Sequence, residues 1–545
     1  MREQAGTAGQ RQESVAARVA GVIRNSNAHV FGLVGNGNAE FVAALREQGA
    51  EFTSVRHEGA AVSAASAAAR VAGDGIGVAT VTYSPGFLNV LTPLAEAQKA
   101  GSPVVVVAGA PPLRGARPWD VDQSGLASAL GVITLMATRS DAAEVAAAAC
   151  RIAGETRRPV ILALPVDADE VDGPDLTIPS VDGAAGLPEV SEQGLADAVA
   201  RIRAADRPVL LAGRGAWDSG AQAALQALGR ALGAIEFTSA AAHGFFAGEI
   251  ADFGIAGGFA AHDRAAISRD ADLVIAFGAS LNPFTLAFGG MFPNAQMIRV
   301  DLAPPPPMLE IGLDLRGDAR SWAEAMLRAV GTGERTPWAS VPQTAAVEPL
   351  IDGVLDPRAL AQALETMLPR ERTIVLDGGH FVGWPAEYWS SPDPTGFLLT
   401  GTMTQSIGLG TGSAIGAAAA RPDRLTILAV GDGGALMGLA DLPTLLDTAS
   451  SLLVVVFNDG VYGAEWHHYA RIGVRLEDIS TEEVDFAGVA DACGARGAVV
   501  REVADLDALR PWLQSGASGA FLLDCRISRS VIAPFFAELM ALEGH

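Results

Sequence analysis

Residues 429–459 read AVGDGGALMGLADLPTLLDTASSLLVVVFND. One apolar run ends in Gly431-Asp432-Gly433, and the next ends in Asn458-Asp459-Gly460. The stretch between them is mostly helix-compatible, with Pro443 placed to start or kink a turn. A strand, a helix and a second strand joined by short turns predict two neighbouring parallel strands. In such a sheet ligands bind outside the carboxyl ends of the strands. A helix N-terminus there offers free N–H groups to a phosphate. An aspartate at the same point repels phosphate unless a cation lies between them. Mg²⁺ resolves the conflict, because it takes few protein oxygens and completes its shell with phosphate oxygens. Asp432 is one expected ligand, and Asn458 or Asp459 the other. Each turn alone is ordinary tight-turn chemistry; together, around one helix, they point to a metal and a diphosphate.

Outward from this stretch, short apolar strands alternate with Ala-rich helical stretches along the whole chain, a pattern of parallel sheets with helices on both faces. The fold class expected is α/β, with three doubly wound parallel-sheet domains at 1–180, 190–335 and 350–545. The first contains "HVFGLVG", "EFTSVRH", "IGVATVT", "PVVVVAGA" and "PVILALP" as strands. The second contains "PVLLAG", "AIEFTS", "LVIAFGA" and "AQMIRVDL". The third contains "TIVLDGG", "FLLTG", "LTILAVGDG", "LLVVVFND" and "AFLLDCR". Two loop-like stretches, "DADEVDGPDLTIPSVDGAAGLPE" and "GTGERTPWASVPQTAAVEP", are expected as linkers. A length of 545 residues suits about three domains.

Composition removes several classes of function. The net charge of −24 disfavours nucleic acid and anionic membrane as partners. Cys150, Cys493 and Cys525 lie far apart without CxxC spacing, so no zinc or disulfide framework is expected, and a cytoplasmic location is. The polar N-terminus has no apolar signal core, and the apolar runs are of strand length. Lys99 is the single lysine, which leaves Schiff-base chemistry one poor candidate. No GxxxxGK[ST] loop occurs.

The paired motif, GDG and then Asn-Asp after a helix and a strand, resembles the signature of thiamine-diphosphate-dependent enzymes. The likeness is to the acetolactate synthase, pyruvate oxidase and benzaldehyde lyase branch. It implies metal ligation by Asp432, by Asp459 and by the main-chain carbonyl of Val461, because Gly463 matches the glycine four residues after the second ligand; Asn458 with the carbonyl of Gly460 is the alternative register. The diphosphate would lie against Gly431, Gly433 and Gly434, and against Gly379 and His380 of "TIVLDGGHF". In "GTMTQSIGLG", Ile407 would be the apolar wedge between the cofactor rings, with backbone groups of Gln405 and Ile407 holding the aminopyrimidine. "EFTSVRHEGAAVS" places Glu58 where the family keeps the carboxyl group that hydrogen-bonds the aminopyrimidine and so activates C2. The plain alternative is a helix-start glutamate favoured by the macrodipole.

"TVTYSPGFLN" resembles the family's Thr-Ser-Gly-Pro-Gly…Asn loop. It matches at Pro85, Gly86 and Asn89 and departs at Tyr83 and Ser84. In "DQSG", Gln123 would face the thiazolium side; plain turn chemistry is the alternative for both stretches. The resemblance further implies a homodimer or homotetramer, with each cofactor between the first domain of one subunit and the third of another. FAD, which some relatives hold in the central domain, is possible here but not predicted.

The resemblance leaves the reaction to the pocket. Simple pyruvate decarboxylases carry "GDYN" early in the first domain and a His pair after the fourth strand. Here "VGNGN" puts Asn36 in place of the aspartate, and no histidine occurs between residues 111 and 140. Proton delivery is poorly supplied, so an acetolactate synthase-like carboligase acting on a 2-oxo acid or aldehyde is expected. The alternatives are a non-oxidative 2-oxo acid decarboxylase or a benzaldehyde-lyase-type enzyme. A dinucleotide-binding oxidoreductase is remote, because "GLVGNGNAEF" lacks GxGxxG spacing. "YGAEWHHY" is expected to line the pocket, with Tyr462, Glu465 and His467 setting the acceptor; His380 would bind phosphate or protonate substrate, with a capping histidine as the alternative.

Overall fold

A computed structural model describes residues 13–73, 75–171, 187–307, 309–469, 472–481 and 484–543. The chain forms two compact units, residues 1–184 and 185–545. Most of the first expected linker and the N-terminal twelve residues fall outside the described set.

The first unit is built on one parallel sheet. Its strands are β1 (Val30–Gly32), β2 (Phe52–Ser54), β3 (Gly77–Val81), β4 (Val104–Ala110), β5 (Ile133–Met136) and β6 (Val160–Pro165), in the order β2-β1-β3-β4-β6-β5. β4 is buried from end to end, which is why its sequence is a continuous apolar run instead of an alternating one. Each fully buried Val or Leu in such a strand contributes about 1.5–3 kcal/mol relative to exposure.

The second unit holds two further six-stranded parallel sheets. The central one contains β7 (Pro208–Ala212), β8 (Ile235–Thr238), β9 (Asp252–Ile255), β10 (Leu273–Phe277), β11 (Gln296–Asp301) and β12 (Leu313–Arg316), ordered β12-β11-β10-β7-β8-β9. A small hairpin, β13 (Leu350–Ile351) and β14 (Val354–Leu355), follows. The last sheet contains β15 (Arg372–Leu376), β16 (Phe397–Leu399), β17 (Leu425–Gly431), β18 (Ser451–Asn458), β19 (Arg496–Val500) and β20 (Gly519–Arg526), ordered β16-β15-β17-β18-β20-β19. The three parallel-sheet α/β regions match the expected fold class.

Two departures have physical causes. In the three six-stranded sheets, the four strands not expected from sequence, β5, β9, β12 and β19, all lie at sheet edges, where one side is unpaired and polar or small residues are tolerated. The second expected linker, residues 331–349, carries no helix or strand yet is stitched to the central region. Trp338 Nε1 donates to the Pro208 carbonyl at 2.8 Å, and the backbone N–H of Arg335 donates to the Arg230 carbonyl at 2.9 Å.

Candidate functional site

In the first unit the chain leaves β2, turns through Arg56 and His57, and enters the helix Glu58–Ala72. His57 caps that helix, its Nδ1 accepting the Gly59 N–H at 3.1 Å. Glu58 opens the helix and is buried. Its Oε2 accepts a hydrogen bond from Asn89 Nδ2 at 2.9 Å. Asn89 closes the short helix Pro85–Leu88. Gly86 in that helix passes so close to the carboxylate that a Cβ would lie 3.3 Å from Glu58 Oε1 and 2.8 Å from Thr82 Cγ2. Glu58, Gly86 and Asn89, three of the residues named from sequence, therefore meet at one carboxylate.

Gln123 lies buried at the start of the helix Gln123–Ala129, and both ends of its amide are engaged. Oε1 accepts the Ser84 N–H at 3.1 Å, and Nε2 donates to the Gly109 carbonyl at 2.9 Å. Beside the same loop, the Arg117 guanidinium stacks 4.2 Å from the Tyr83 ring centroid and pairs with Asp120 at 2.7 Å.

In the second unit the GDG and Asn-Asp motifs end adjacent parallel strands. The β17–β18 register sets Gly431 opposite Phe457, so Asp432 and Asp459 follow at neighbouring strand tips. Asp432 opens the helix Asp432–Met437 and is only 4% exposed. Thr481 Oγ1 donates to its Oδ2 at 2.5 Å. The segment carrying Thr481 runs back along the motif: Thr481 N–H donates to the Gly460 carbonyl and Tyr462 N–H to the Ile479 carbonyl, each at 3.0 Å. Burial raises the Asp432 carboxyl, opposed by the Thr481 hydroxyl and backbone N–H groups. Burial, and then the charge of Asp432, push the Asp459 carboxyl up to about 7. Two carboxylates thus crowd one small polar space. Asn458 faces elsewhere: its Nδ2 donates to buried Asp524 Oδ1 at 2.8 Å on β20. The glycines after Asp432 are required by their neighbours. A Cβ on Gly433 would lie 2.4 Å from the Tyr462 ring, and one on Gly434 would lie 2.5 Å from Asp377 Oδ2.

Asp377, to which no role is assigned from sequence, organises the adjoining loop. It follows β15 and is wholly buried. Its carboxylate accepts the N–H groups of Gly408 at 2.8 Å, Gly378 at 2.9 Å and Leu409 at 3.2 Å. Burial pushes it up to about 6 against the pull of these donors. The detectable signal was an acid directly after a buried apolar strand. The loop it holds presents Gln405, exposed and at φ +57°, and Ile407, partly buried, ahead of the helix Gly410–Ala420. Gly379, at φ +136°, leads the chain into His380.

His380 is buried, and its Nε2 accepts the Ala533 N–H at 2.8 Å. That bond places the ring proton on Nδ1. Burial, and then the neighbouring His467, push it down to about 3. A ring held neutral in this way can donate a hydrogen bond through Nδ1. His467 stands 4.7 Å away between ring centroids, on the helix Gly463–Tyr469. Burial lowers it too, and its buried Nε2 has no hydrogen-bond partner among the described residues.

Among the described residues no group of three or more His, Cys, Asp or Glu side chains forms a ready metal cage. A cation at the strand tips would take two carboxylates, a main-chain carbonyl and non-protein oxygens, a donor set suited to Mg²⁺. The residues present therefore fit a small hard dication. No described helix is long and apolar enough to cross a membrane.

Comparison with known proteins returns three family models. Residues 14–130 match the thiamine pyrophosphate enzyme N-terminal TPP-binding domain, residues 195–325 the central domain, and residues 377–525 the C-terminal TPP-binding domain. Among curated proteins, the catabolic acetolactate synthase of Raoultella terrigena is 29% identical, covering 85% of each chain. A protein described as a probable 2-ketoarginine decarboxylase of Pseudomonas aeruginosa is 27% identical, covering 86% of each. The acetolactate synthase isozyme 3 large subunit of Escherichia coli is 25% identical, covering 83% of each.

Proposed function

The chain belongs to the thiamine pyrophosphate enzyme family, and from that membership we propose that it is a Mg²⁺-dependent carboligase of acetolactate synthase type, acting on a 2-oxo acid or aldehyde donor. The observation that carries the reading is the pair of carboxylates, Asp432 and Asp459, at the tips of adjacent strands. Asp432, Asp459 and the carbonyl of Val461 would hold the metal. The commitment of Asn458 to Asp524 supports Asp459 as the second side-chain ligand.

When bound, thiamine diphosphate supplies an electron sink at C2 for making or breaking a bond beside a carbonyl. The chain's part is to hold and prime it. Gly379, Gly431, Gly433 and Gly434, with His380 Nδ1–H, would line the diphosphate. Gln405 and Ile407 would seat the aminopyrimidine, Ile407 as the apolar wedge. Glu58, flanked by Pro85, Gly86 and Asn89 and contributed by a second subunit, would hydrogen-bond the aminopyrimidine nitrogen. Tyr462, Glu465 and His467 would face the acceptor. A homodimer or homotetramer follows from this division of labour, and small carbonyl compounds in the cytoplasm are the expected substrates.

Ligation over aldehyde release is supported by Asn36 in place of the decarboxylases' aspartate and by the lack of histidine between residues 111 and 140, which leave the pocket short of acids. Decarboxylation is the second reading, favoured by the likeness to the Pseudomonas protein. The test is to supply purified protein with Mg²⁺ and thiamine diphosphate, offer a panel of 2-oxo acids and aldehydes, and identify products by mass spectrometry. Hydroxyketones support the carboligase. An aldehyde as sole product transfers the assignment to a decarboxylase, and no cofactor-dependent turnover of any pair overturns both. A flavin spectrum in the isolated protein would add FAD, which this reading does not require.

A further inference from the structure

The loop that brings Asn89 to Glu58 holds one residue in a conformation that its side chain resists. Ser84 has φ +54° and ψ −105°, the backbone of a mirror-image tight turn in which glycine is strongly preferred. Its side chain brings no compensation: the residue is 2% exposed, and the buried hydroxyl has no hydrogen-bond partner among the described residues. Such a residue persists only where its surroundings over-determine it.

Here the restraint comes from Gln123. Its Oε1 takes the Ser84 N–H at 3.1 Å, while its Nε2 is anchored on the Gly109 carbonyl of β4 at 2.9 Å. Gln123 is itself fixed at a helix start, capped by Asp122, whose Oδ1 accepts the Gly125 N–H at 2.8 Å. The amide is a strap from a buried strand to the strained turn. From that turn the chain runs directly to the carboxylate. The Ser84 carbonyl accepts the Leu88 N–H at 2.9 Å, and the helix so started ends on Asn89, which donates to Glu58 at 2.9 Å.

We propose that Gln123 is a positioning residue that acts on Glu58 through the Ser84 turn, not a group that touches cofactor or substrate. This rests on the reading of Glu58 as the group that primes the cofactor. It has a specific consequence: a glycine at 84 adopts the turn unaided and makes the strap dispensable.

The experiment is a four-protein cycle of wild type, Q123A, S84G and Q123A/S84G. Each is melted without cofactor, then assayed with Mg²⁺, thiamine diphosphate and the best substrate pair, and turnover is expressed per bound cofactor. S84G is expected to melt a few degrees above wild type, since it removes strain and loses no hydrogen bond. Q123A is expected to melt lower and to lose at least about tenfold in kcat with KM little changed, because a displaced catalytic carboxyl costs orientation more than binding. The double variant is expected to recover kcat to within about threefold of S84G. A loss that was only of folded protein would not change turnover per bound cofactor. If the double variant stays as slow as Q123A, Gln123 contacts the ligand directly and the proposal falls. If S84G melts no higher than wild type, there is no strain to restrain and it also falls. The melting arm needs no cofactor, so it tests the strap even if absent turnover were to overturn the functional reading.

Discussion

Glu236 on β8 offers a test in which the magnitude follows from the structure. The side chain is 2% exposed, and its Oε2 has no hydrogen-bond partner among the described residues. Across the β8–β9 ladder it stands opposite Asp252. Burial first, then the charges of Glu249 and Asp252, push its carboxyl up to about 9, with Arg230 opposing. In the unfolded chain a glutamate titrates near ~4.3. Between these values the folded protein carries a proton that the unfolded chain has released, so this group's contribution to stability falls as pH rises. The slope is at most about 1.4 kcal/mol per pH unit. From about pH 5 to about pH 8 the upper bound is therefore ~4 kcal/mol, and relaxation and water entry reduce it to about 1–3 kcal/mol. Glu236→Gln is neutral at every pH and nearly isosteric. Its stability relative to wild type should grow by that amount over the interval. The measurement is parallel urea unfolding of both proteins by circular dichroism, in which every other titrating group cancels in the difference. A difference that stays constant with pH would refute the assignment of a neutral buried carboxyl.

Three further outcomes are expected. Asp432→Asn should weaken Mg²⁺-dependent binding of thiamine diphosphate by at least about tenfold in calorimetric titration, since it removes an anionic ligand from a hard cation; unchanged affinity would take Asp432 out of the ligand set. Glu58→Gln should still bind the cofactor but slow exchange of its C2 proton by about 10²-fold or more, read by hydrogen–deuterium exchange NMR; normal exchange would deny Glu58 its role. Asn458→Ala should leave metal affinity within about threefold yet cost about 1–3 kcal/mol of stability, because it strips a donor from buried Asp524. A collapse of metal affinity without loss of stability would move the ligand register to Asn458.

Interior strands were legible because both their faces are buried. β4, β17 and β18 must be apolar at nearly every position, and "PVVVVAGA", "RLTILAV" and "SLLVVVF" announce them. The edge strands β5, β9, β12 and β19 were not legible: with one ladder side unpaired, "DFGI" or "LDLR" is permitted, and such strings look like loop. The GDG and Asn-Asp turns could be joined in sequence because one helix separates them and parallel topology puts both at the same end of the sheet. What only the tertiary structure decided lies at contacts distant along the chain. Asn458 is taken by Asp524, 66 residues later. Asp377 gathers the N–H groups of Gly408 and Leu409. His380 is held neutral against Ala533, and Gln123 restrains a serine in a glycine's conformation. Periodicity records which face of an element is buried, but it carries no record of which distant donor meets which acceptor; those pairings exist only once each sheet has brought its own turns together.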